Sequence, residues 1–193
     1  MSIKNIKIKN SYLELSSEFY NLETPSPLIN PHLIDVNSTL VKELGLDTLD
    51  KKEWIDLVNG ATLFSSTKPF SMVYAGHQFG HFVPRLGDGR AINIGTINGY
   101  HLQLKGSGVT KYSRSGDGRA VLRSSIREYL TSEHMHALGI ESTRAVAIIG
   151  AKHRVLDKIG RVVLLFLEPL RVGLDLGHLS ILLIRVCLKR CKA

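Results

Sequence analysis

Cysteine is nearly absent from this sequence, and its scarcity excludes two classes of protein. The 193 residues include only two cysteines, Cys187 and Cys191, which lie four positions apart near the end of the chain. A small secreted scaffold stabilised by disulfides needs more of them, and no further cysteine or close pair of histidines completes a zinc-binding set with these two. A reducing cytoplasm is therefore the expected compartment.

Long apolar runs are absent too. No stretch of about 18 apolar residues lacks a charge, so the sequence predicts no membrane-spanning helix. Residues 1–10 carry lysines but no apolar segment, which excludes a secretory signal. Hydrophobic residues make up 44% and charged residues 22% of the chain, and this balance excludes an intrinsically disordered polymer. The length suits one domain, or one domain and part of a second.

The charge balance is basic, since 25 Lys and Arg against 17 Asp and Glu give a formal net charge of +8. Such an excess is typical of chains that bind nucleic acid or an acidic membrane surface. Half of it lies in residues 161–193, which hold six basic and two acidic residues. The rest of the chain is only weakly basic. We therefore expect no nucleic-acid partner and keep a basic nucleic-acid or membrane-surface binding module as the alternative function.

Residues 156–193 differ in texture from the rest of the chain. They are rich in leucine, and their apolar clusters at 162–167 and 179–184 follow neither the period of a strand nor that of a helix. A basic amphipathic membrane helix is one interpretation, although Arg185 directly follows the second cluster and leaves the polar face poorly defined. We prefer the hypothesis of an aberrant tail, translated outside the ancestral reading frame.

Residues 1–70 predict a lead-in of short helices and extended segments. Asn37 is suited to cap a short helix that Gly45 ends. Residues 50–59 predict a second amphipathic turn around Trp54, and three prolines mark an extended connection near the start. A single tryptophan of this size is expected to be a packing anchor rather than a binding residue.

Residues 71–155 carry the informative pattern, a series of predicted strands followed by a helix. Alternating apolar residues predict strands over 91–97 and 100–105. The Asn98-Gly99 pair between them is the strongest sequence signal for a two-residue hairpin. The other predicted elements are a strand at 81–86, a helix that opens at 117–119 and runs to about 138, and a strand at 144–149. The helix is expected to carry an apolar arc formed by Leu122, Ile126, Tyr129, Leu130 and Ala137. Beside this arc, small residues such as Ser125 and Ser132 would let a strand approach closely.

The hairpin register predicts that Lys105 lies beside an apolar patch. A two-residue loop pairs Ile94 with Gln103 and Ile92 with Lys105, and directly opposed residues share a face of the sheet. The strand of Ile92 also leaves a glycine turn, Gly87-Asp88-Gly89-Arg90. These are the parts of an ATP site. The apolar patch holds the adenine base, the lysine neutralises the charge of the phosphates, and the backbone N–H groups of the glycine turn bind phosphate oxygens.

Two parts of this prediction are ambiguous when each is taken alone. Glu128 has no basic residue three or four positions away, so a cation that pairs with it must come from another element, and Lys105 is the obvious one. Spacing alone nevertheless favours a solvated helix carboxylate. The turn at Gly87 and Gly89 lacks the third glycine of the kinase pattern, so by itself it is better explained as a tight hairpin.

Two other patterns point less clearly to a function. His77 and His81 are spaced as in a zinc-binding helix, but Gln78 stands where a metalloprotease needs glutamate, and the flanking glycines disfavour a helix. Four arginines between residues 114 and 127 could form a basic face for nucleic acid. No aromatic residues interleave with them as stacking platforms, so we expect these arginines to face solvent or phosphate.

Four ordered motifs resemble the selenoprotein O family. They are Tyr74–Gly80 (YAGHQFG), Leu86–Arg90 (LGDGR), Leu104–Gly108 (LKGSG) and Tyr112–Glu128 (YSRSGDGRAVLRSSIRE), within a similarity over residues 10–155. The resemblance implies an α+β fold like the amino-terminal lobe of a protein kinase, with an antiparallel sheet, a C-type helix and the helical lead-in. It also implies that ATP binds in a reversed orientation and that AMP is transferred to Ser, Thr or Tyr hydroxyls of proteins, with Mg²⁺ or Mn²⁺.

The resemblance also implies roles for individual residues. Those expected to contact ATP are Gly87, Gly89, Arg90, Lys105, Asp117 and Gly118. Lys105 would bind phosphate and Glu128 would be its ion-pair partner, which reverses the preference drawn from spacing. Each of these roles is an expectation from the family.

The family's catalytic aspartate and metal-holding residues belong to a larger carboxy-terminal lobe, which we expect to be missing here. No catalytic or metal-binding residue is therefore expected within this chain. The prediction is an ATP-binding portion that is inactive alone, whether natural fragment, frameshift product or non-functional gene remnant. Cys187 and Cys191 are not expected to be counterparts of the family's carboxy-terminal selenocysteine or cysteine.

Overall fold

A computed structural model describes residues 3–151 and 161–169. The strands are β1 (Tyr20–Leu22), β2 (His32–Val36), β3 (Phe70–Met72), β4 (Gly76–Gln78), β5 (His81–Val83), β6 (Ala91–Ile97), β7 (Tyr100–Lys105), β8 (Ala120–Val121), β9 (Arg144–Ala151) and β10 (Arg161–Pro169). The helices are α1 (Ser38–Glu43), α2 (Lys51–Val58) and α3 (Leu122–Ala137), with short 3-10 turns at Ile3–Asn5 and Ser11–Glu14. The predicted α+β class is confirmed, whereas the likeness to a kinase lobe stays a prediction.

One large antiparallel sheet organises the fold. Its strands lie in the order β1-β3-β6-β7-β10-β9-β2, and β8 pairs with one end of β10. β4 and β5 form a separate two-stranded hairpin. Both outer strands of the large sheet come from the first 36 residues, so segments of the predicted lead-in are part of the same sheet as the predicted lobe.

The two short helices begin at the residues whose side chains predict a cap. Asn37 accepts a hydrogen bond from the Leu40 N–H (3.3 Å), and Asp50 and Glu53 form a reciprocal capping box. Gly45, with a φ of +67°, follows the end of α1. These bonds satisfy N–H groups that the first helical turn leaves without partners. Both helix predictions are confirmed.

The main core joins α1 and α2 to the large sheet. Trp54 is buried there with an exposed fraction of 5%, so the predicted packing anchor is confirmed. The other large buried side chains of this core include Leu40, Leu44, Leu57, Ile94, Leu102, Leu104 and Ile149. Removal of this apolar surface from water, worth about 25 cal/mol per Å², holds the lead-in helices against the strands.

The β6–β7 hairpin carries a β-bulge that changes the predicted register. The three pairs next to the turn keep the predicted register, but a bulge at Ile94 shifts the pairs beyond it by one residue. Lys105 therefore lies opposite Ala91 instead of Ile92. Ile92 and Ile94 are completely buried in the interior. The prediction of an apolar patch beside the lysine was wrong, because a bulge transfers the following side chains to the other face.

The bulge coincides with a close approach by the start of the chain. Lys9 exchanges two backbone hydrogen bonds with Thr96 (2.9 and 2.7 Å). Gly95 has a φ of +131°, and a Cβ on it would lie 2.9 Å from the Lys9 carbonyl oxygen. A glycine is therefore required where Lys9 pairs with β6 in an antiparallel bridge.

α3 begins later than predicted, since β8 occupies the positions before it. Its buried face also differs from the predicted apolar arc: Ile126 and Leu130 are 42% and 63% exposed, whereas Ser125 and Ser132 are buried. The Ser132 hydroxyl accepts a hydrogen bond from the Ala145 N–H of β9 (3.3 Å). The expected close approach of a strand along this seam of small residues is confirmed. Among the described residues, no helix is long and apolar enough to cross a membrane.

β10 lies in the middle of the sheet, between β7 and β9. Its residue 165 is opposite Leu104 on one side and Ala147 on the other. Residues 161–169 thus belong to the sheet, which extends beyond the predicted lobe boundary at 155. Residues 170–193, including the two cysteines, lie outside the described residues, and an aberrant reading frame stays a hypothesis.

Candidate functional site

The turns at one end of β6 and β7 enclose a cleft of about 790 Å³. Its walls are the glycine turn before β6, the end of β7 and the loop 106–118, which is rich in Gly and Ser. The residues that were expected to contact ATP all line it: Gly87, Gly89, Arg90, Lys105, Asp117 and Gly118. The fold therefore brings together residues from three separate segments of the chain.

Tyr112, on the opposite wall, shapes the glycine turn. Gly87 has a φ of +66°, and a Cβ on it would overlap the Tyr112 ring. A Cβ on Gly89 would lie 3.0 Å from the Tyr112 carbonyl oxygen. Both glycines are therefore required for contact between two segments of the protein itself, whatever ligand the cleft holds.

Two hydroxyls fasten the glycine turn to the loop. Thr110 Oγ1 donates to the Asp88 carbonyl (2.6 Å), and Ser113 Oγ donates to the Gly89 carbonyl (2.5 Å). The Asp88 carboxylate accepts a hydrogen bond from the Met72 N–H (2.9 Å). Because Thr110, Ser113 and Asp88 are buried, water does not compete for these bonds. The wall of the cleft is thus formed before any ligand binds.

Lys105 and Glu128 form an ion pair at the edge of the cleft. The Lys105 ammonium contacts Glu128 Oε1, and the two side chains are 24% and 38% exposed. Lys105 and Gln103 are two residues apart in β7, so their side chains share a face of the sheet, and both line the cleft. Glu128 is therefore not an unpaired helix carboxylate, and the pairing expected from the resemblance is present.

A second cavity, of about 580 Å³, adjoins the cleft on the side of α3. Glu128 lines this cavity, and Arg90 and Thr143 line both spaces. The ion pair consequently lies between two solvent-filled spaces, where its lysine is accessible to a ligand on the side of the cleft.

The charge that lines the cleft is positive. The cationic lining residues are Arg90, Lys105, Arg114 and Arg119, and the anionic ones are Asp88 and Asp117. A concave surface with an excess of positive charge concentrates anions, and guanidinium groups bind phosphate through paired hydrogen bonds. The cleft therefore fits a polyanion such as a triphosphate.

Sequence reasoning missed Tyr112, Thr110 and Ser113 as parts of this site. Their signals were a position in a loop rich in Gly and Ser and, for Tyr112 and Ser113, the start of the fourth motif. Neither signal reveals the contacts with the glycine turn, which exist only in the folded chain. Burial raises the pKa of the Tyr112 phenol, and the nearby Arg85 guanidinium opposes that shift. Tyr112 is therefore uncharged at neutral pH and adds no negative charge to the cleft.

His77 and His81 do not form a metal-binding pair. In the β4–β5 hairpin His77 lies opposite Phe82 and His81 lies opposite Gln78, so the two imidazoles are on opposite faces. His77 contacts the Phe82 ring, with ring centroids 5.3 Å apart. Within residues 3–151 and 161–169, no three His, Cys, Asp or Glu side chains come together in a way that could hold a metal ion.

These features define a class of protein. An α+β domain with a preformed basic cleft, a glycine turn and a strand lysine paired with a helix glutamate is typical of domains that bind the phosphates of a nucleotide.

Comparison with known proteins identifies the family. A family model described as Protein adenylyltransferase SelO matches residues 2–158. The chain is similar to Protein nucleotidyltransferase YdiU of Thiobacillus denitrificans, with 44% identity over 161 residues that cover 80% of this chain and 33% of the relative. For YdiU of Albidiferax ferrireducens the identity is 47% over 145 residues, which cover 74% and 29%. For YdiU of Lachnoclostridium phytofermentans it is 45% over 159 residues, which cover 79% and 33%.

The chain belongs to the SelO family of protein adenylyltransferases. The resemblance drawn from the four motifs is thereby confirmed, and the relatives that the chain matches are named protein nucleotidyltransferases. It spans about a third of the length of the curated relatives that it matches.

Proposed function

We propose that this chain is the ATP-binding portion of a protein adenylyltransferase, which transfers AMP from ATP to Ser, Thr or Tyr hydroxyls of proteins. The observation that carries the proposal is the ion pair between Lys105 and Glu128 at the edge of a basic cleft. A lysine oriented by a carboxylate presents its ammonium at a defined place, so less entropy is lost when it contacts a phosphate. Family membership supports the chemistry, and the charge and glycine turn of the cleft support the ligand.

In this proposal each wall of the cleft contributes to ATP binding. Lys105 neutralises phosphate charge, and Glu128 orients the Lys105 ammonium. The remaining contacts come from the glycine turn and from the loop opposite it: Gly87, Gly89, Arg90, Asp117 and Gly118. Because Tyr112 already holds the glycine turn in place, ATP binding does not have to order this wall.

ATP enters such sites as its complex with Mg²⁺ or Mn²⁺, and we propose the same here. The two carboxylates in the cleft do not fit a resident metal site. Asp88 accepts hydrogen bonds from Met72 and Asn93, and Asp117 accepts one from the Arg119 N–H (2.9 Å). The proposal therefore assigns no metal ligand and no catalytic residue to the described part of this chain. Both belong, in the proposal, to the remaining two thirds of the longer relatives.

Titration of the 193-residue chain with ATP and MgCl₂, followed by calorimetry, tests the binding site. Lys105→Met removes the ammonium and should raise the Kd for ATP at least about tenfold, since a hydrogen bond to a charged group contributes about 1.5–3 kcal/mol. Lys52→Met is the matched control, because Lys52 is an exposed lysine of α2 that pairs with Asp56. Unchanged ATP affinity in Lys105→Met would contradict the proposed site.

Incubation with ATP labelled at the α-phosphate tests the proposed division of the enzyme. The chain alone should transfer no label to itself or to a test protein, because its described residues supply neither a metal site nor a base for the acceptor hydroxyl. Metal-dependent labelling that Lys105→Met abolishes would show that the catalytic residues are present after all.

The alternative of a basic nucleic-acid or membrane-surface module is not favoured. The cations of the cleft converge on a concave site together with two carboxylates, whereas a backbone-binding module presents its cations along an exposed face.

A further inference from the structure

One arginine in the wall of the cleft joins three segments of the chain. Arg119 directly follows two proposed ATP contacts, Asp117 and Gly118. Its Nη1 donates to the Ser26 carbonyl (2.6 Å) and to the Gly106 carbonyl (3.3 Å), and its Nη2 donates to the Ser26 hydroxyl (2.9 Å). At least three of its five N–H groups are thus directed to neutral acceptors of the protein.

The Gly106 peptide connects this arginine to Lys105. The Gly106 N–H donates to the Arg90 carbonyl (2.8 Å), and the Gly106 carbonyl accepts the hydrogen bond from Arg119. Gly106 has a φ of +92°, so the chain turns sharply directly after Lys105. Hydrogen bonds on both sides of one residue therefore fix the direction in which β7 ends.

Ser26 also contacts the turn that follows Lys105. Its N–H donates to the Ser107 carbonyl (2.6 Å), and a Cβ on Gly108 would lie 2.8 Å from the Ser26 Cβ. Ser26 itself is exposed, but the preceding Pro25 is buried against Gly60. The segment that carries Ser26 is therefore anchored in the core, and the residue lies directly over the turn.

We propose that Arg119 is a positioning residue for ATP binding. Together with Ser26 and Gly106 it forms a clasp that holds the turn after Lys105, so that the ammonium stays directed into the cleft. This inference rests on the proposed ATP function. It assigns Arg119 a role other than that of a direct phosphate ligand, because two carbonyls and a hydroxyl already occupy its planar fork. It also makes Ser26, from the start of the chain, part of the nucleotide site.

Arg119→Lys separates the two roles. Lysine keeps the positive charge that a direct phosphate contact needs, but a single ammonium does not bridge Ser26 and Gly106 as a planar guanidinium does. We expect the Kd for ATP with MgCl₂ to rise about tenfold in Arg119→Lys and about threefold in Ser26→Ala, which removes only the hydroxyl acceptor. Arg123→Lys, at an exposed position of α3 outside the lining of the cleft, is the matched control and should keep the wild-type Kd.

A double-mutant cycle tests whether Ser26 and Arg119 act through one contact. The double variant should bind ATP no more weakly than Arg119→Lys alone, because the single change already removes what Ser26 contributes. Two results overturn the positioning role while ATP binding itself stands. In the first, the increases in Kd caused by Ser26→Ala and by Arg119→Lys multiply in the double variant. In the second, Arg119→Lys lowers the thermal midpoint of unfolding but leaves the Kd for ATP within about twofold of wild type. Absence of ATP binding by the wild-type chain overturns the proposed function and this inference with it.

Discussion

At the scale of single residues, Gly87 combines a positive φ of +66° with close contact to the ring of Tyr112. Gly87 was predicted from its place in a turn and from the family motif. The structure adds a second requirement, contact with the Tyr112 ring, which sequence spacing does not reveal because Tyr112 comes 25 residues later in the chain. Likewise, the sequence predicted the roles of Lys105 and Glu128. It did not predict that the hydroxyls of Thr110 and Ser113 bind the glycine turn.

Gly87→Ala should lower the free energy of unfolding more than Gly139→Ala does. Both glycines have a positive φ, +66° and +75°, so both substitutions carry a backbone cost of about 1–2 kcal/mol. Only at Gly87 would the new methyl group overlap another side chain, since nothing lies within 4 Å of a Cβ at Gly139. We expect an additional loss of about 1–3 kcal/mol for Gly87→Ala, measured by urea unfolding. Equal losses for the two variants would contradict tight packing by Tyr112.

Two hairpins of this chain use the same turn with different residues. Phe79 and Gly80 have φ values of +51° and +80°, and Asn98 and Gly99 have +47° and +83°. Positive φ at both central positions is the type I′ turn, which favours Asn-Gly. Asn98 suits this conformation, whereas the bulky Phe79 does not, and its side chain is 93% exposed.

Phe79→Asn should therefore raise the free energy of unfolding by up to about 1 kcal/mol, because the strained conformation is relieved and no packing is lost. The reciprocal change, Asn98→Phe, should lower it by about 1 kcal/mol or more, and it also removes the hydrogen bond to the Leu44 carbonyl (3.3 Å). Chemical denaturation of both variants measures the difference. Destabilisation by Phe79→Asn would show that the exposed ring has a packing role.

At the scale of elements, the β6–β7 hairpin shows how far local signals reach. Alternation and the Asn98-Gly99 pair predicted both strands and the turn, because these signals act between neighbours in the chain. The bulge at Ile94 was not predictable in this way, and it lies beside the backbone pairing of Lys9 with Thr96, which joins distant parts of the chain. It decides which residues of β6 share a face with Lys105.

The packed face of α3 escaped prediction for a different reason. Of the predicted apolar arc, Leu122 and Tyr129 pack against a cluster that includes residues of β9, but Ile126 and Leu130 are exposed. The buried residues of α3 are Ser125 and Ser132, and Ser132 bonds to β9. The helix lies close to the strand here, and only small side chains fit between the two backbones. Serine is small enough, so it occupies the contact although it is polar. An apolar arc on a helix therefore does not identify its buried face when small residues compete for the contact.

The contact between α3 and β9 includes a two-pronged ion pair, which predicts an acid dependence. Arg144 Nε and Nη2 lie 2.9 and 2.8 Å from the two carboxylate oxygens of Glu133. The hydrogen bonds from Arg144 lower the pKa of Glu133. A carboxyl whose pKa is lower in the folded chain stabilises the fold above its unfolded pKa of about 4.3, and this stabilisation is lost as the pH falls through the folded value. Glu133→Gln should therefore lose less stability than wild type between about pH 5 and pH 3.

The same measurement in a second background supplies the control for this prediction. With Arg144→Gln already present, Glu133 has lost the main partner that lowers its pKa and keeps only the smaller contributions of Asn37 and His136. Glu133→Gln should therefore change the acid dependence of the free energy of unfolding less in that background than in wild type. An equal effect of Glu133→Gln in both backgrounds would mean that another group lowers the pKa of this carboxyl.

At the scale of the whole molecule, β10 is a strand that the sequence did not predict. Its apolar residues form a continuous run without a period of two, and we took this texture as a sign of an aberrant tail. A short continuous apolar run is also typical of a strand with neighbours on both sides. β10 has such a position between β7 and β9, and pairings that join such distant parts of the chain leave no local signature.

Truncation tests the importance of this central strand. A chain that ends at residue 155 lacks β10 and leaves β7 and β9 with unpaired edges, so it should aggregate. A chain that ends at residue 169 keeps every strand that the structure describes and should unfold cooperatively. Gel filtration and circular dichroism of the two truncated chains provide the comparison. A monomeric, cooperatively folded chain of 155 residues would contradict a central role for β10.

The origin of the outer strands has a consequence for biosynthesis. β2 pairs with β9, so that His32 lies opposite Gly150, and β9 in turn pairs with β10. After residue 32 leaves the ribosome, its partner follows only roughly 120 residues later, some 6–24 s at the usual rates of translation. β1 can pair with β3 much sooner, whereas β2 must remain without its sheet partner, exposed to chaperones and proteases, until β9 emerges.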